Sequence, residues 1–101
     1  MRTFTVILSP EPDSNWFSVT CPALPGAVSQ GEGREAALRN IQEAMLGWLE
    51  VAAETGNADI LEESPELIAA EIAFVLGWKA EEGWPLIVET APVQIAAAVA
   101  A

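Results

Sequence analysis

Residues 34–56, REAALRNIQEAMLGWLEVAAETG, decide the fold class. Ala37, Leu38, Ile41, Ala44, Met45, Trp48, Leu49 and Ala52 recur at the spacing of one buried helical stripe. Glu35, Arg39, Glu43, Glu50 and Glu54 lie mostly off that stripe, and Gly56 supplies the residue that commonly ends a helix in left-handed geometry. The spacing predicts a long helix with one side laid on a sheet.

The sheet is written upstream. Thr3–Ser9 is rich in β-branched residues and puts Phe4, Val6 and Leu8 on one face, the pattern of a strand. Pro10-Glu11-Pro12-Asp13-Ser14-Asn15 is turn chemistry. Trp16–Cys21 alternates again, with Phe17, Val19 and Cys21 opposite Trp16, Ser18 and Thr20, so a hairpin is expected. Pro22, Leu24, Pro25 and Gly26 then form a turn motif, with Pro25-Gly26 suited to the middle of a type II turn. Ala27–Gln30 is a short third strand, ended by Gly31 and Gly33. A three-stranded antiparallel meander results.

Downstream, Ser64-Pro65-Glu66 combines an N-cap hydroxyl, a proline at the first helical position and an acid in the first turn. A second helix is expected to run to about Glu82, before Gly83. Its apolar residues cover nearly the whole circumference, which calls for burial on more than one side. Either the chain's own core supplies that cover, or Phe74, Leu76 and Trp78 contribute to an oligomer interface. After it, Trp84–Glu89 reads as extended and Ala91-Pro92 as an interruption. A last strand is expected over Val93–Ala97. The fold class is α+β, in the order β-β-β-α-α-β, as a single domain over residues 1–101.

Composition narrows the chemistry. Fifteen acids against four bases give a net charge of -11, with 51% hydrophobic residues to build a core. Arg2, Arg34, Arg39 and Lys79 are scattered, so no phosphate-binding footprint exists. Histidine is absent, and Cys21 stands alone, which removes histidine-activated nucleophiles, disulfides and cysteine-based zinc sites. No G-x-x-x-x-G-K-[ST] loop occurs. The first and third strands carry no acid to converge on a metal pair. No catalytic residue, cofactor or metal is therefore expected. No signal peptide or membrane span is legible either, and the lone cysteine favours a reducing, cytoplasmic setting.

What remains is binding. Residues 57–83 carry -6 of the charge, with Lys79 their one base. That is either a solvated face or a surface that steers a basic partner. Trp16 opposes the apolar face of its strand, where an exposed aromatic suits association, and Glu11 and Asp13 lie beside it in sequence.

Several stretches together resemble one family. Cys21-Pro22-Ala23-Leu24-Pro25-Gly26-Ala27, then Ser29-Gln30-Gly31, Glu35-Ala36, Asn40-Ile41-Gln42-Glu43-Ala44 and Leu49-Glu50-Val51, are similar to the HicB antitoxins. Gly83-Trp84-Pro85-Leu86-Ile87-Val88-Glu89-Thr90 resembles that family's approach to its last strand. The resemblance implies a partial ribonuclease H-like fold without catalytic residues. It also implies a partner, a small basic HicA-type mRNA interferase that the antitoxin binds and occludes. The candidate contacts are Glu11, Asp13 and Trp16. Relative to the family pattern, residues 57–82 read as a helical insertion. The chain leaves no room after its last strand for a C-terminal DNA-binding domain, which speaks against direct DNA binding. The alternative is an orphan homo-oligomer, a dimer foremost, that keeps the fold without a toxin.

Overall fold

The computed structural model describes residues 2–56 and 59–95. Its elements are β1 (Arg2–Pro10), β2 (Trp16–Thr20), β3 (Val28–Glu32), α1 (Arg34–Thr55), α2 (Pro65–Glu82) and β4 (Glu89–Ile95). One antiparallel sheet has the order β3-β2-β1-β4. The α+β architecture follows the order expected from the sequence.

Strand alternation divides the sheet into two faces. Phe4, Val6 and Leu8 of β1 join Val19, Val93 and Ile95 in the core that α1 covers with Ala37, Ile41, Met45 and Leu49. The other face of β1 carries Thr5, Ile7 and Ser9. Here α2 lands: the Lys79 Nζ donates to Ser9 Oγ at 2.6 Å and to the Ile87 carbonyl at 2.8 Å. The two helices therefore sandwich the sheet, and β1 is buried from both sides.

Local chemistry fixes the helix ends. Ser64 Oγ accepts from the Leu67 N–H at 3.1 Å, and Pro65 occupies the first turn, as the Ser-Pro-Glu sequence predicts. Helix α1 starts at Gly33 without a side-chain cap and stops at Gly56, whose φ is 68°.

Three expectations need correction. Strand β3 is not ended at Gly31 but continues to Glu32. A Cβ on Gly31 would sit 2.5 Å from the Ala37 backbone nitrogen, so the glycine lets the first turn of α1 press onto the strand. Strand β4 begins at Glu89, and Ala91-Pro92 does not interrupt it. Pro92 pairs with Thr5 from an edge strand, where a missing N–H is tolerated. The expected end of that strand, Ala96–Ala97, lies outside the described residues. Finally, α2 is not covered all round by its own chain, because its buried residues are Val75 and Lys79 alone. Alanines at 69, 70, 73 and 80 and the glycine at 77 keep its exposed back small.

Lys79 is fully buried in place of an apolar anchor. Burial lowers its pKa, since no carboxylate stands beside it, and its donors reach Ser9 Oγ, the Ile87 carbonyl and, at 3.5 Å, the Pro10 carbonyl. It ties α2 to β1 and to the approach of β4.

Two substitutions test this packing. Gly31→Ala is expected to cost about 1–3 kcal/mol by driving α1 off β3, read as a lower denaturant midpoint. Lys79→Ala removes a buried stem and leaves two carbonyls unpartnered. It is expected to cost about 2–4 kcal/mol and to speed amide exchange throughout α2.

Candidate functional site

The β1–β2 hairpin gathers three of the residues singled out in the sequence. The Glu11 N–H donates to the Trp16 carbonyl at 2.9 Å and closes the hairpin. Asp13 sits exposed at the tip with φ 57°, a backbone state that aspartate tolerates better than most residues. Trp16 opens β2, is 39% exposed, and pairs across to Glu32 of β3. The Gly33 N–H donates to the Asn15 carbonyl at 2.7 Å, tying this corner to the start of α1.

The turn motif is structural. The Leu24 carbonyl accepts from the Ala27 N–H at 2.9 Å around Pro25 and Gly26, whose φ is 92°. Leu24 and Pro22 are buried, and Trp48 Nε1 donates to the Pro25 carbonyl at 2.9 Å. Beside them, burial pushes the Cys21 thiol up to about 11. That cysteine packs the core and is no nucleophile at neutral pH.

Of the three residues suggested for an oligomer interface, Phe74 and Trp78 border one cleft and Leu76 lies apart from them. Phe74 is 67% exposed on the side of α2 that overlooks β2 and β3. Trp78 is half-buried, edge-on to Trp84 with ring centroids 5.0 Å apart. Leu76 is half-buried and lies on the opposite side of α2 from Phe74, by the 100° step of a helix.

Electrostatically, the acids face little opposition. Arg34 Nε donates to both oxygens of Glu89, at 3.0 and 3.1 Å, and that carboxylate holds the guanidinium above its ordinary pKa. Arg2 stacks 4.8 Å over the Phe4 ring, and Lys79 is buried. Of the acids, Glu63 accepts from the N–H and hydroxyl of Thr5, where β1 has run past the end of β2. Glu62, Glu66, Glu81 and Glu82 face water. Among the described residues no three histidine, cysteine, aspartate or glutamate side chains are placed to hold a metal ion, and no helix is long and apolar enough to cross a membrane.

The sequence missed the cleft beside α2. Helix α2 lies over β1, so the outer face of β2 and β3 is bare. Glu71, Phe74, Val75 and Trp78 wall the step, and Ile7, Ser18, Thr20 and Val28 line its floor. The i, i+3, i+4, i+7 spacing of those wall residues was readable. What the spacing does not say is which layer the helix occupies.

Comparison with known proteins places this fold. The family described as the HicB-like antitoxin of bacterial toxin-antitoxin systems matches the chain over residues 4–79. The chain belongs to the HicB-like antitoxin family. The crystal structure of the N-terminal domain of the Burkholderia pseudomallei antitoxin HicB is similar at 25% identity and a TM-score of 0.63. That similarity covers 94% of this chain and 99% of the other. The crystal structure of the whole Burkholderia pseudomallei antitoxin HicB shares the fold, with TM-score 0.66 and 24% identity over 98% of this chain and 67% of that one. A UPF0150 protein of Thermoplasma acidophilum is 40% identical over 47 residues, 46% of this chain and 67% of that protein.

In this HicB-like chain the Cys21 thiol gives a direct check on the core. With its pKa near 11, about one thiol in a thousand is ionised at pH 8. Alkylation of the native protein with iodoacetamide is expected to be at least 100-fold slower than in denaturant. Native labelling at the denatured rate would show the core open at Cys21.

Proposed function

We propose that this HicB-like antitoxin acts without catalysis, by binding and occluding a small basic HicA-type mRNA interferase in the cytoplasm. Family membership supports the antitoxin role. The observation that carries the partner's chemistry is the acidic surface: Lys79 is buried, Arg34 is paired with Glu89, exposed Arg2 and Arg39 are the remaining bases, and the acids of residues 57–82 are mostly exposed. A surface of one sign raises association rates with a partner of the other, and a desolvated aromatic beside it supplies lifetime. The hairpin offers that combination in Glu11, Asp13 and Trp16. Occlusion needs no reactive group. Nothing in the reading calls for direct contact with DNA.

A second reading rests on one observation, the exposure of Phe74. An orphan homo-oligomer, most simply a dimer, would cover it. Phe74→Asp then shifts the elution volume to that of a monomer, whereas an antitoxin that meets only its toxin elutes unchanged.

Co-expression with a HicA-type toxin tests the first reading. Growth is expected to be restored and the two proteins to co-purify. Association is expected to slow as salt rises from 50 to 300 mM, and Trp16→Ala to weaken binding about tenfold or more. Unrelieved toxicity with no co-purification would remove the toxin from the account.

A further inference from the structure

We propose that the bare outer face of β2 and β3 is a seat for one amphipathic, basic helix of the partner, laid in the cleft beside α2. The inference rests on the antitoxin reading and goes further, naming the surface and the shape of what fills it.

The dimensions come first. Of the four strands, α2 spans the outer face of β1 and borders β4 through the neighbouring groove of Ile68, Ile72 and Thr90. Strands β2 and β3 are covered less: on that face Trp16, Val28, Gln30 and Glu32 are exposed, and Ser18 and Thr20 are half-buried at the edge of α2. Two adjacent strands present a strip about 10 Å wide, and five residues run for roughly 15 Å. A helix with its side chains is about 10 Å across, and three turns rise about 16 Å. One short helix therefore completes the layer that α2 leaves half finished.

The surface chemistry agrees with that shape. Phe74 and Val28 stand 67% and 63% exposed on the two sides of a cleft of about 320 Å³. They ask for an apolar stripe between them. Ser18 and Thr20 on the floor are half-buried hydroxyls that a passing helix covers at little cost. Charge selects the occupant. Glu71 lines the cleft, and Glu32 shares the sheet face with Trp16 at the far end of the strip. Neither β2 nor β3 contains a basic residue, and the one base of α2, Lys79, is buried. A second copy of this chain would bring the same acids against these. A helix with lysine or arginine flanking an apolar stripe meets Glu71 at the α2 wall and Glu32 at the far end of the strip.

The face is continuous with the hairpin. Trp16, Ser18 and Thr20 of β2 pair with Glu32, Gln30 and Val28 of β3 in register, so the strip runs from Trp16 to Val28 without a break. Trp16 becomes one end of a longer seat.

The probe is a synthetic 14-residue peptide of leucine and lysine with leucines in one helical stripe, set against a scrambled peptide of the same composition. Fluorescence anisotropy on the intact protein is expected to show the striped peptide binding at least tenfold tighter. Val28→Lys and Phe74→Ser, both at exposed sites, are expected to reduce it to the scrambled level. Val51→Ser, exposed on α1, should leave it unchanged. Equal binding of the two peptides, or indifference to Val28→Lys, overturns the seat. A peptide-free dimer that Phe74→Ser splits also overturns it, because a second copy then holds the cleft. The toxin reading fails separately. Toxin that still co-purifies with Val28→Lys sinks the seat and spares the toxin, whereas striped-peptide binding without toxin binding does the reverse.

Discussion

Strand β1 is buried on both faces, and the rest of the molecule is arranged around that constraint. Val6 and Leu8 are sealed under α1, and Ile7 and Ser9 under α2, each 4% exposed or less. A central strand of this kind cannot alternate cleanly between apolar and polar residues. Its buried polar residue, Ser9, must find a partner, and Lys79 provides it. The helix that covers the second face is thereby pinned by a polar contact, with Val75 its sole buried apolar residue.

That arrangement has a functional consequence. A helix held over β1 leaves β2 and β3 uncovered, and the sheet face it spares is where exposed Trp16, Val28 and Phe74 border the same strip. The buried lysine also removes one positive charge from the surface, and Glu89 occupies a second. Arg2 and Arg39 remain exposed among a majority of exposed acids, so the surface is predominantly acidic, with apolar inlays. A HicB-like antitoxin that acts by covering a basic protein has use for both features. Under the proposed function, the acids bring a basic partner in and the apolar inlays hold it.

Much of the fold was legible in the sequence because it is set by local rules. The helical stripe of α1, the Ser64-Pro65 start of α2 and the Pro25-Gly26 turn each follow from the geometry of neighbouring residues. Where long-range contacts decide, the reading slipped. Gly31 reads as a breaker, yet the close approach of Ala37 makes it a strand residue. Pro92 reads as an interruption, but an edge position excuses its missing N–H. The exposure of Trp16 followed from alternation alone. Placement of α2 did not, because an apolar helix carries no record of which face of the sheet it will cover. Lys79, the one charge at the end of an apolar run, was the available sign that a polar contact would fix it.

The central claim is that α2 lies on the side of the sheet away from α1, fastened there through Ser9, so that β2 and β3 stay open. A nuclear Overhauser measurement between the ε-methylene of Lys79 and the β-methylene of Ser9 tests it directly. The Nζ–Oγ separation of 2.6 Å predicts a clear cross-peak in the free protein. Its absence, with Ser18 and Thr20 showing cross-peaks to α2 instead, would put the helix over the strands described as bare and contradict the account.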